Sequence, residues 1–408
     1  MSRPVSIVLV GIGGMGSVYV QALLANEAGE AHTIAGAVDP SPERCPQLGE
    51  LRSRGVAIYP TLEEFYRQGA AELAVISSPI QFHADQTCLA LEHGSHVLCE
   101  KPIAATIQEA RRMLQAEQRS VRWVAVGYQW SYSAAIQDLK RDIMSGAYGA
   151  PRRLRCLYLW PRDFAYYGRN DWAGKRRDAA GRWVLDSPAM NAMGHDLHNM
   201  FYILGPSRET SAVPVEVEAE LYRAYPIENF DTGAIRARLA GGVELLFLVS
   251  HASHEDRGPV FSYEFEKGEV TCSSRTSGIS GRLEDGEVRQ YGVPDAEPMN
   301  KLWQAIRAVR GGPRPACGTE AALSQTLCLN GAQMSHPEPA AFPAALVRRT
   351  GERGAERLWV EGLDEVMAAA YEAGRLPAET GVTWGRKGRR VALSEQTTFA
   401  APEGIDGT

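Results

Sequence analysis

The chain has 408 residues, of which 44% are hydrophobic and 23% are charged, and its formal net charge is −6 at pH 7. This length and balance predict a globular protein with two domains, because each part is long enough to bury a core of its own. The acidic balance and the lack of a long basic tract argue against nucleic acid or an anionic membrane as the partner. We therefore expect a small neutral or mildly charged ligand.

The seven cysteines are odd in number, lie far apart and include no Cys-x-x-Cys pair. This pattern predicts neither a disulfide framework nor a zinc knuckle, so we expect reduced thiols. No apolar run reaches the roughly 18 residues that a membrane span needs, and the N-terminus lacks the pattern of a secretory signal. We therefore expect a cytoplasmic protein with no membrane partner.

Apolar runs alternate with helical patterns in the first third of the chain. The runs are SIVLVG, TIAGAVD, LAVISS, HVLCE and RWVAVGY. Strands that are apolar on both faces, with helices between them, are typical of a parallel sheet covered on both sides. This α/β pattern predicts a doubly wound Rossmann domain that binds a dinucleotide, at residues 1–125.

Longer strands with period-two alternation follow, separated by turns such as AGG and EDGE. They predict an α+β domain for substrate binding and oligomerisation at residues 126–340, built on an open, largely antiparallel sheet with one wet face. Residues 341–408 are expected to form a C-terminal extension, partly helical, with a loose polar tail from about Ser394.

A glycine-rich turn with the sequence GIGGMG follows the first strand and opens a helix. In a G-x-G-x-x-G pattern the glycines allow a tight turn, a close approach of backbone N–H groups to a pyrophosphate, and close helix–strand packing. Asp39 ends the next strand, where a carboxylate can accept hydrogen bonds from ribose hydroxyls. The predicted cofactor residues here are Gly11, Gly13, Gly14, Met15, Gly16 and Asp39. NAD is the expected cofactor, and NADP remains possible because Arg44 could approach a 2′-phosphate.

Two further predicted strands end in Ser78-Pro79 and in Glu100-Lys101-Pro102. The carboxyl ends of parallel strands meet at the edge of the sheet where ligands bind. We therefore predict that Ser78, Pro79, Glu100 and Lys101 lie beside the nicotinamide half of the cofactor. Lys101 could hydrogen-bond a substrate oxygen during hydride transfer. A plain turn and a solvated ion pair are the structural alternatives at these two positions.

The segment VLDSPAMNAMGHDLHNMFYILGP predicts a helix over residues 188–204, with Ser187 as its N-cap. Asn191, His195 and His198 fall in a narrow arc opposite the apolar face, and the helix carries no Lys, Arg or Glu. This arc is expected to face a polar pocket, with His195 as general acid or base because imidazole titrates near neutrality. Two hydrogen-bonded structural histidines are the alternative.

His195 with His198, and His251 with His254, form two H-x-x-H pairs. The second pair follows a strand-like run and lacks the fixed spacing of a helix, so we predict no metal site. Substrate contact by His251 is at least as plausible as metal binding.

Together these motifs resemble the Gfo/Idh/MocA family of NAD(P)-dependent oxidoreductases over about residues 5–335, and Glu100-Lys101-Pro102 is the most specific element. The resemblance implies oxidation or reduction of hydroxyl carbons in sugars, inositols and related polyols. It also implies that Lys101 touches the reacting hydroxyl and that His195 matches the histidine of the D-x-G-x-H-x-x-D helix. A homodimer or homotetramer is expected by the same analogy.

The chain departs from that helix motif at three positions. Asn191 stands where the family has its first aspartate, Met193 where it has glycine, and His198 where it has the last aspartate. Because an asparagine cannot accept a proton, the usual proton relay is in question, and Asp186 or His198 could take the place of the missing aspartate.

Aromatic and charged side chains crowd the region around this motif. Those predicted to contact the substrate are Trp130, Trp160, Arg162, Trp172 and His198. Aromatic faces and charged donors suit a carbohydrate, although core packing is the alternative for each aromatic residue.

The expected function is transfer of a hydride between a nicotinamide and a secondary hydroxyl or ketone of a sugar, inositol or related polyol. Lys101, His195 and Asn191 are the catalytic candidates. The alternatives are a glycoside-cleaving or epimerising enzyme that retains its NAD, and a non-catalytic nucleotide or sugar sensor.

Overall fold

The computed structural model describes residues 3–352 and 354–400, and these form two compact units. The first unit contains the chain up to Ala104, Gln108–Ser133 and Asp295–Leu323. The second contains Ala105–Ile107, Ala134–Pro294 and the residues from Ser324 onward. The segment Asp295–Leu323, which lies inside the predicted second domain along the sequence, thus belongs to the same unit as the N-terminal strands.

Within the described residues, the strands and helices alternate regularly in the first third and then give way to longer strands. The strands are β1 (Val5–Val10), β2 (His32–Val38), β3 (Ile58–Tyr59), β4 (Leu73–Ile76), β5 (His96–Cys99), β6 (Val124–Val126), β7 (Pro151–Leu159), β8 (Pro214–Arg223), β9 (Thr232–Leu239), β10 (Glu244–Ser250), β11 (Arg257–Phe265), β12 (Gly268–Cys272), β13 (Ile279–Leu283), β14 (Val288–Gly292), β15 (Ala340–Ala341), β16 (Val347–Thr350), β17 (Arg357–Val360) and β18 (Val391–Ala392). The helices are α1 (Met15–Ala25), α2 (Leu48–Ser53), α3 (Leu62–Gln68), α4 (His83–Glu92), α5 (Ile107–Arg119), α6 (Ala134–Met144), α7 (Phe164–Gly168), α8 (Gly194–Tyr202), α9 (Asn300–Val309), α10 (Thr319–Ser335) and α11 (Leu363–Ala373).

The first unit is built on a six-stranded sheet in the order β3-β2-β1-β4-β5-β6, with every pairing parallel. The strand order reverses between β1 and β4, which is the point where doubly wound sheets bind ligands. The core of this unit combines β1, β4 and β5 with the apolar face of α9, including Leu302 and Ile306. The predicted Rossmann architecture is confirmed.

The second unit contains a ten-stranded sheet in the order β14-β13-β12-β11-β7-β10-β9-β8-β15, with β18 also paired to β8. In this sheet, only the β7–β10 and β8–β15 pairings of the described strands are parallel, so the predicted, largely antiparallel sheet is confirmed. Leu363 and Met367 of α11 pack with Leu157 and Leu246 of this sheet in one core. The predicted C-terminal extension is therefore an integral layer of the second unit.

The predicted polar tail is partly packed. The Phe399 side chain is buried, and its ring contacts Trp183 with the ring centroids 5.0 Å apart. Residues 401–408 of that tail lie outside the described residues. In the part of the chain that the structure describes, no helix combines the length and the apolar character needed to cross a bilayer.

Candidate active site

The carboxyl ends of four neighbouring strands lie side by side in the first unit. Val10 at the end of β1 is aligned with Val38 of β2 and with Ile76 of β4, and Ile76 is aligned with Cys99 of β5. The segments that continue from these ends are those predicted to bind the cofactor: residues 11–16, Asp39, Ser78-Pro79 and Glu100-Lys101. The structure thus brings the predicted cofactor residues to one edge of one sheet.

The glycine turn after β1 is so close to its neighbours that larger residues would not fit. Gly11 has a φ of +77°, and a Cβ there would lie 2.8 Å from the backbone nitrogen of Ser78. A Cβ at Gly16 would lie 1.9 Å from the Gly11 carbonyl oxygen. This geometry matches the tight turn and close helix packing that a dinucleotide pyrophosphate requires.

Helix α1 begins directly at this turn, with Met15 exposed at its first position. Gly14 is its N-cap, no side chain caps the helix, and its first turn contains no acidic residue. The positive end of the helix dipole therefore meets no carboxylate of its own first turn, which favours a bound phosphate.

Asp39 is held rigidly at the end of β2. Its Oδ2 accepts a hydrogen bond from the backbone N–H of Ile12 at 2.9 Å, and its Oδ1 accepts one from Ser41 at 2.8 Å. Each carboxylate oxygen can accept a second hydrogen bond, so the group suits the two ribose hydroxyls of NAD. Arg44 lies close to the same turn, since its Cβ would be 3.4 Å from a Cβ at Gly13. The residues of this edge therefore fit a nicotinamide dinucleotide.

Glu100 is buried and fixes the turn that carries Lys101. Its carboxylate accepts hydrogen bonds from the Tyr19 hydroxyl at 2.6 Å, from the Lys101 backbone N–H at 3.0 Å and from the Lys301 ammonium. Burial alone would raise the pKa of Glu100, but the charges of Lys301 and Lys101 hold it below its usual value. The Gly127 backbone is also close, because a Cβ there would lie 2.8 Å from Glu100 Oε1. Glu100 thus holds the main chain of the turn and pairs with Lys301, while Lys101 is half-buried at the strand end.

The sequence interpretation missed Lys301. This lysine lies on α9, 201 residues after Glu100, and its side chain is 1% exposed. Its spacing carried a signal of burial, since Ala305 and Ala308 follow at i+4 and i+7 on the same buried face. A lysine on a buried face needs a carboxylate partner, but nothing in the local sequence identifies which one.

Ser78 also belongs to this edge. Its hydroxyl donates to Gln86 Oε1 at 2.5 Å, and its carbonyl oxygen lies 2.9 Å from His83 Nε2. The Ser78 backbone therefore has a fixed position beside the glycine turn, as its approach to Gly11 also shows.

In the second unit, the predicted helix over residues 188–204 is two pieces. Pro188–Ala192 forms a π turn closed by a hydrogen bond from the Met193 N–H to the Pro188 carbonyl at 2.8 Å, and α8 begins at Gly194. The π turn adds a residue and shifts the register, so the predicted stripe is divided. Asn191 and His195 are half-buried, whereas His198 is completely buried.

His198 packs inside the second unit. Its ring stacks on Tyr202 with centroids 5.5 Å apart. Burial, together with the charge of Lys140, lowers the pKa of His198 to about 3. The imidazole is therefore neutral near pH 7.

Asp186 is a buried carboxylate beside Asn191. Its Oδ1 accepts a hydrogen bond from Asn191 Nδ2 at 3.0 Å, its Oδ2 accepts one from the Gly174 N–H at 2.7 Å, and Oδ2 lies 3.8 Å from Arg169. The preceding residue, Leu185, has a φ of +52°, a conformation that costs a non-glycine residue on the order of 1 kcal/mol. A carboxylate thus lies next to the asparagine that replaces the aspartate of the family motif.

Aromatic rings and guanidinium groups form one cluster in the same unit. Arg162 stacks over Trp160 at 3.5 Å and over Tyr166 at 4.6 Å, and Arg275 lies 4.0 Å from Trp160. Arg169 stacks over Tyr166 at 3.8 Å. We call Arg162, Arg169 and Arg275 with these two rings the arginine–aromatic cluster.

Of the predicted substrate residues, Trp160 and Arg162 lie in this cluster, and Trp172 adjoins it, 5.3 Å from Arg169. Trp130 belongs to the first unit, where its indole N–H donates to Asp295 Oδ1 at 2.7 Å. Arg275 was missed, because it follows a run of small polar residues with no apolar pattern to indicate its direction.

His251 directly follows β10, beside the cluster. Its Nδ1 lies 3.0 Å from the Tyr167 hydroxyl, and burial, Arg162 and Arg169 all lower its pKa well below the usual value. His254 is exposed. The described residues contain no group of three or more His, Cys, Asp or Glu side chains arranged to hold a metal ion.

This fold and this edge are those of a dinucleotide-binding protein. Residues 5–128 match the model of the oxidoreductase family with an NAD-binding Rossmann fold, Gfo/Idh/MocA. The resemblance seen in the sequence is confirmed over residues 5–128, which are similar to the NAD-binding domain of that family.

Relatives match over different lengths. The rhizopine catabolism protein MocA of Rhizobium meliloti is 25% identical over 328 residues, covering 78% of this chain and 91% of that protein. Inositol 2-dehydrogenase of Streptomyces avermitilis is 30% identical over 159 residues, and that match covers 39% of this chain and 46% of the relative. The chain therefore aligns with less than half of the inositol dehydrogenase.

A solved structure shares the fold. The WlbA dehydrogenase from Bordetella pertussis, in complex with NADH and UDP-GlcNAcA, superposes with a TM-score of 0.65 at 22% identity. The match covers 81% of this chain and 95% of that one, so it includes parts of both units.

Proposed function

We propose that this NAD(P)-dependent oxidoreductase transfers a hydride between the nicotinamide and a secondary hydroxyl or ketone of a sugar, inositol or related polyol. The observation that carries the proposal is the alignment of the β1, β2, β4 and β5 ends, which brings the glycine turn, Asp39 and Lys101 to one sheet edge. The names of relatives such as inositol 2-dehydrogenase support the class of substrate.

The cofactor, when bound, accepts or supplies the hydride. In the proposed reaction the Lys101 ammonium donates a hydrogen bond to the substrate oxygen and stabilises its alkoxide character. His195 takes the hydroxyl proton during oxidation and returns it during reduction, because an imidazole can act as a general base and as a general acid.

Asp186 supplies the carboxylate that Asn191 lacks. Because Asn191 Nδ2 donates to Asp186, the amide of Asn191 has a fixed orientation, and its oxygen can accept a hydrogen bond from His195 or from the substrate. Asp186 is thus a positioning residue in this proposal, and the completely buried His198 has a packing role.

The test is a screen for NADH or NADPH formation with a panel of sugars and inositols, repeated with Lys101→Ala. We expect turnover of at least one polyol and a fall in kcat of about 10²–10⁴-fold in the variant, the range for loss of a positioned acid–base or electrophilic group. Lys267→Ala, at an exposed turn of the second unit, is the matched control.

Other outcomes select the alternatives. Tight binding of NAD with no turnover of any sugar would identify a sensor. Epimerisation or glycoside cleavage without net formation of NADH would identify an enzyme that retains its cofactor.

Cofactor choice is tested by titration of the purified protein with NAD and with NADP. We propose that NAD binds more tightly, because Asp39 would repel a 2′-phosphate. Tighter binding of NADP, lost in Arg44→Gln, would instead assign Arg44 to the phosphate.

The cellular compartment and the oligomeric state of the enzyme are also proposals. We infer a cytoplasmic homodimer or homotetramer, supported by seven free cysteines and by an extended, largely antiparallel sheet. Light scattering at several protein concentrations tests the oligomeric state, and a monomer at all of them would refute it.

A further inference from the structure

Two arginines of the arginine–aromatic cluster carry charge that the described part of the chain does not neutralise. Neither Arg162 nor Arg275 forms an ion pair in residues 3–352 and 354–400. The Nε of Arg162 is buried with no acceptor among those residues, and the described hydrogen bond of the Arg275 guanidinium is to the Tyr158 hydroxyl. Burying guanidinium groups without a counter-charge costs free energy unless a ligand supplies one.

Arg169 adds a third guanidinium to the same cluster. Its carboxylate partner is Asp186 at 3.8 Å, which also accepts hydrogen bonds from Gly174 and Asn191. Burial lowers the pKa of Arg162, and the like charges of Arg275 and Arg169 lower it further. The cluster therefore has an excess of positive charge at a half-buried position.

The cluster is continuous with the proposed catalytic residues of the second unit. Arg169 touches both the Tyr166 ring and Asp186, and Asp186 binds Asn191. A ligand group held by the cluster would therefore belong to the same molecule that Asn191 meets.

We propose that the substrate carries an oxyanion, a carboxylate or a phosphate, which binds Arg162 and Arg275 while the rings of Trp160 and Tyr166 contact the sugar. This inference rests on the proposed function and narrows its substrate class to acidic sugars or polyols. A guanidinium binds either oxyanion through two parallel N–H donors, and it keeps its aromatic stacking while doing so.

His251 adds a third kind of donor to this site. Its Nδ1 contacts the Tyr167 hydroxyl, and its Nε2 is buried with no partner in the described part of the chain. A neutral imidazole that accepts from Tyr167 carries its proton on Nε2, where it can donate to an oxyanion.

The test uses three matched probes on the NAD-loaded protein: D-glucose, D-glucuronate and D-glucose 6-phosphate. Isothermal titration measures binding, so the result does not depend on turnover. We expect at least one anionic probe to bind about tenfold or more tightly than glucose, the order expected for charge-assisted hydrogen bonds. The preferred anion distinguishes a carboxylate from a phosphate substrate.

Arg162→Gln and Arg275→Gln should each weaken binding of that anion by about tenfold or more, which is a larger loss than either variant causes in the binding of glucose. The matched control is Arg177→Gln, because Arg177 also stacks on a tryptophan at 3.5 Å, Trp183, outside the cluster. Circular dichroism and thermal unfolding confirm that each variant is folded.

The proposal is overturned if glucose binds as tightly as both anions, if neither anion binds, or if Arg177→Gln weakens binding as much as the cluster variants do. Anion binding without turnover of any polyol would keep this inference and refute the proposed function. Turnover restricted to neutral polyols would keep the proposed function and refute this inference.

Discussion

In the first unit, the buried carboxylate of Glu100 meets the Lys301 ammonium and the Tyr19 hydroxyl. In the second unit, Arg162 and Arg275 lie against aromatic rings, and no described carboxylate pairs with either. The first arrangement is closed, because the chain supplies both charges. The second is open and needs a charge from outside the chain. The contrast separates a pair that holds the fold from a group that is suited to binding a ligand.

A buried carboxylate of the second unit extends the comparison. Asp231 accepts hydrogen bonds from the backbone N–H groups of Ala224 and Tyr225, yet no described cation pairs with it. Burial raises its pKa to about 6, whereas the pKa of Glu100 is lowered because Lys301 is adjacent. The two carboxylates differ mainly in whether a cation is buried with them.

The largest effect on stability is expected when the cation of the Glu100–Lys301 pair is removed. Lys301→Met leaves the Glu100 carboxylate buried without its cation, and we expect a loss of about 3–5 kcal/mol in the free energy of unfolding. Urea unfolding measures it. Lys387→Met is the control, because the Lys387 side chain, which pairs with Glu379 at 3.8 Å, is 59% exposed, and such a pair is worth about 0.5 kcal/mol or less.

The double variant Glu100→Gln, Lys301→Met should recover much of that loss, since no charge remains buried. A Lys301→Met protein as stable as the natural chain would show that the closed pair does not hold the fold.

A smaller effect is expected from Asp231. The pKa of Asp231 is about 6 in the folded protein, compared with 3.8 for an unfolded aspartate. Its contribution to the stability of the fold is therefore fully present below the unfolded pKa and is lost as the pH rises through about 6. Between about pH 4 and pH 7, the free energy of unfolding of the natural chain should therefore fall by about 2–3 kcal/mol relative to that of Asp231→Asn.

Urea unfolding at each pH measures this difference. Glu379→Gln is a second comparison, for which the pH dependence of stability should have the opposite sign. Arg236 lowers the pKa of Glu379 to about 2, so the stabilisation that Glu379 provides is lost only as the pH falls. Parallel curves for the natural chain and Asp231→Asn would refute the raised pKa.

The smallest effect is expected from Asp186→Asn. One amide oxygen cannot replace two carboxylate oxygens, so one of the hydrogen bonds from Gly174 and Asn191 is lost, and stability falls by about 1–2 kcal/mol. Removal of the negative charge near Arg169 should at the same time raise the affinity for the preferred anion by about two- to fivefold. Titration measures the affinity, and Asp178→Asn is the control in the same unit. A weaker affinity in Asp186→Asn would contradict the excess of positive charge.

Local patterns were sufficient to predict most of the first unit. Apolar runs predicted β1, β2, β4, β5 and β6, because a strand buried on both faces leaves a continuous signal, whereas the two residues of β3 are too few to show one. The glycine turn was also predictable, since Gly16 is dictated by its contact with the Gly11 backbone within one strand–helix unit, although the contact of Gly11 with Ser78 involves a later strand.

The second unit shows where such patterns fail. The helix predicted over residues 188–204 contains a π turn, because helical periodicity does not reveal a single inserted residue. Asp186 was considered as a partner of the relay, but its hydrogen bond to Asn191 depends on a loop in which Leu185 takes a left-handed conformation. Arg275 belongs to a loop that is distant from Arg162 in the sequence, yet both stack on Trp160. The charge of a residue alone does not predict such proximity.

The Glu100–Lys301 pair has a consequence for synthesis of the protein on the ribosome. The strand that ends beside Glu100 emerges 201 residues before its cation does. At about 5–20 residues per second, the nascent chain would wait roughly 10–40 s for Lys301. During that interval the unpaired carboxylate favours an open, hydrated strand end, so the N-terminal unit would complete its folding only after most of the second unit has been translated.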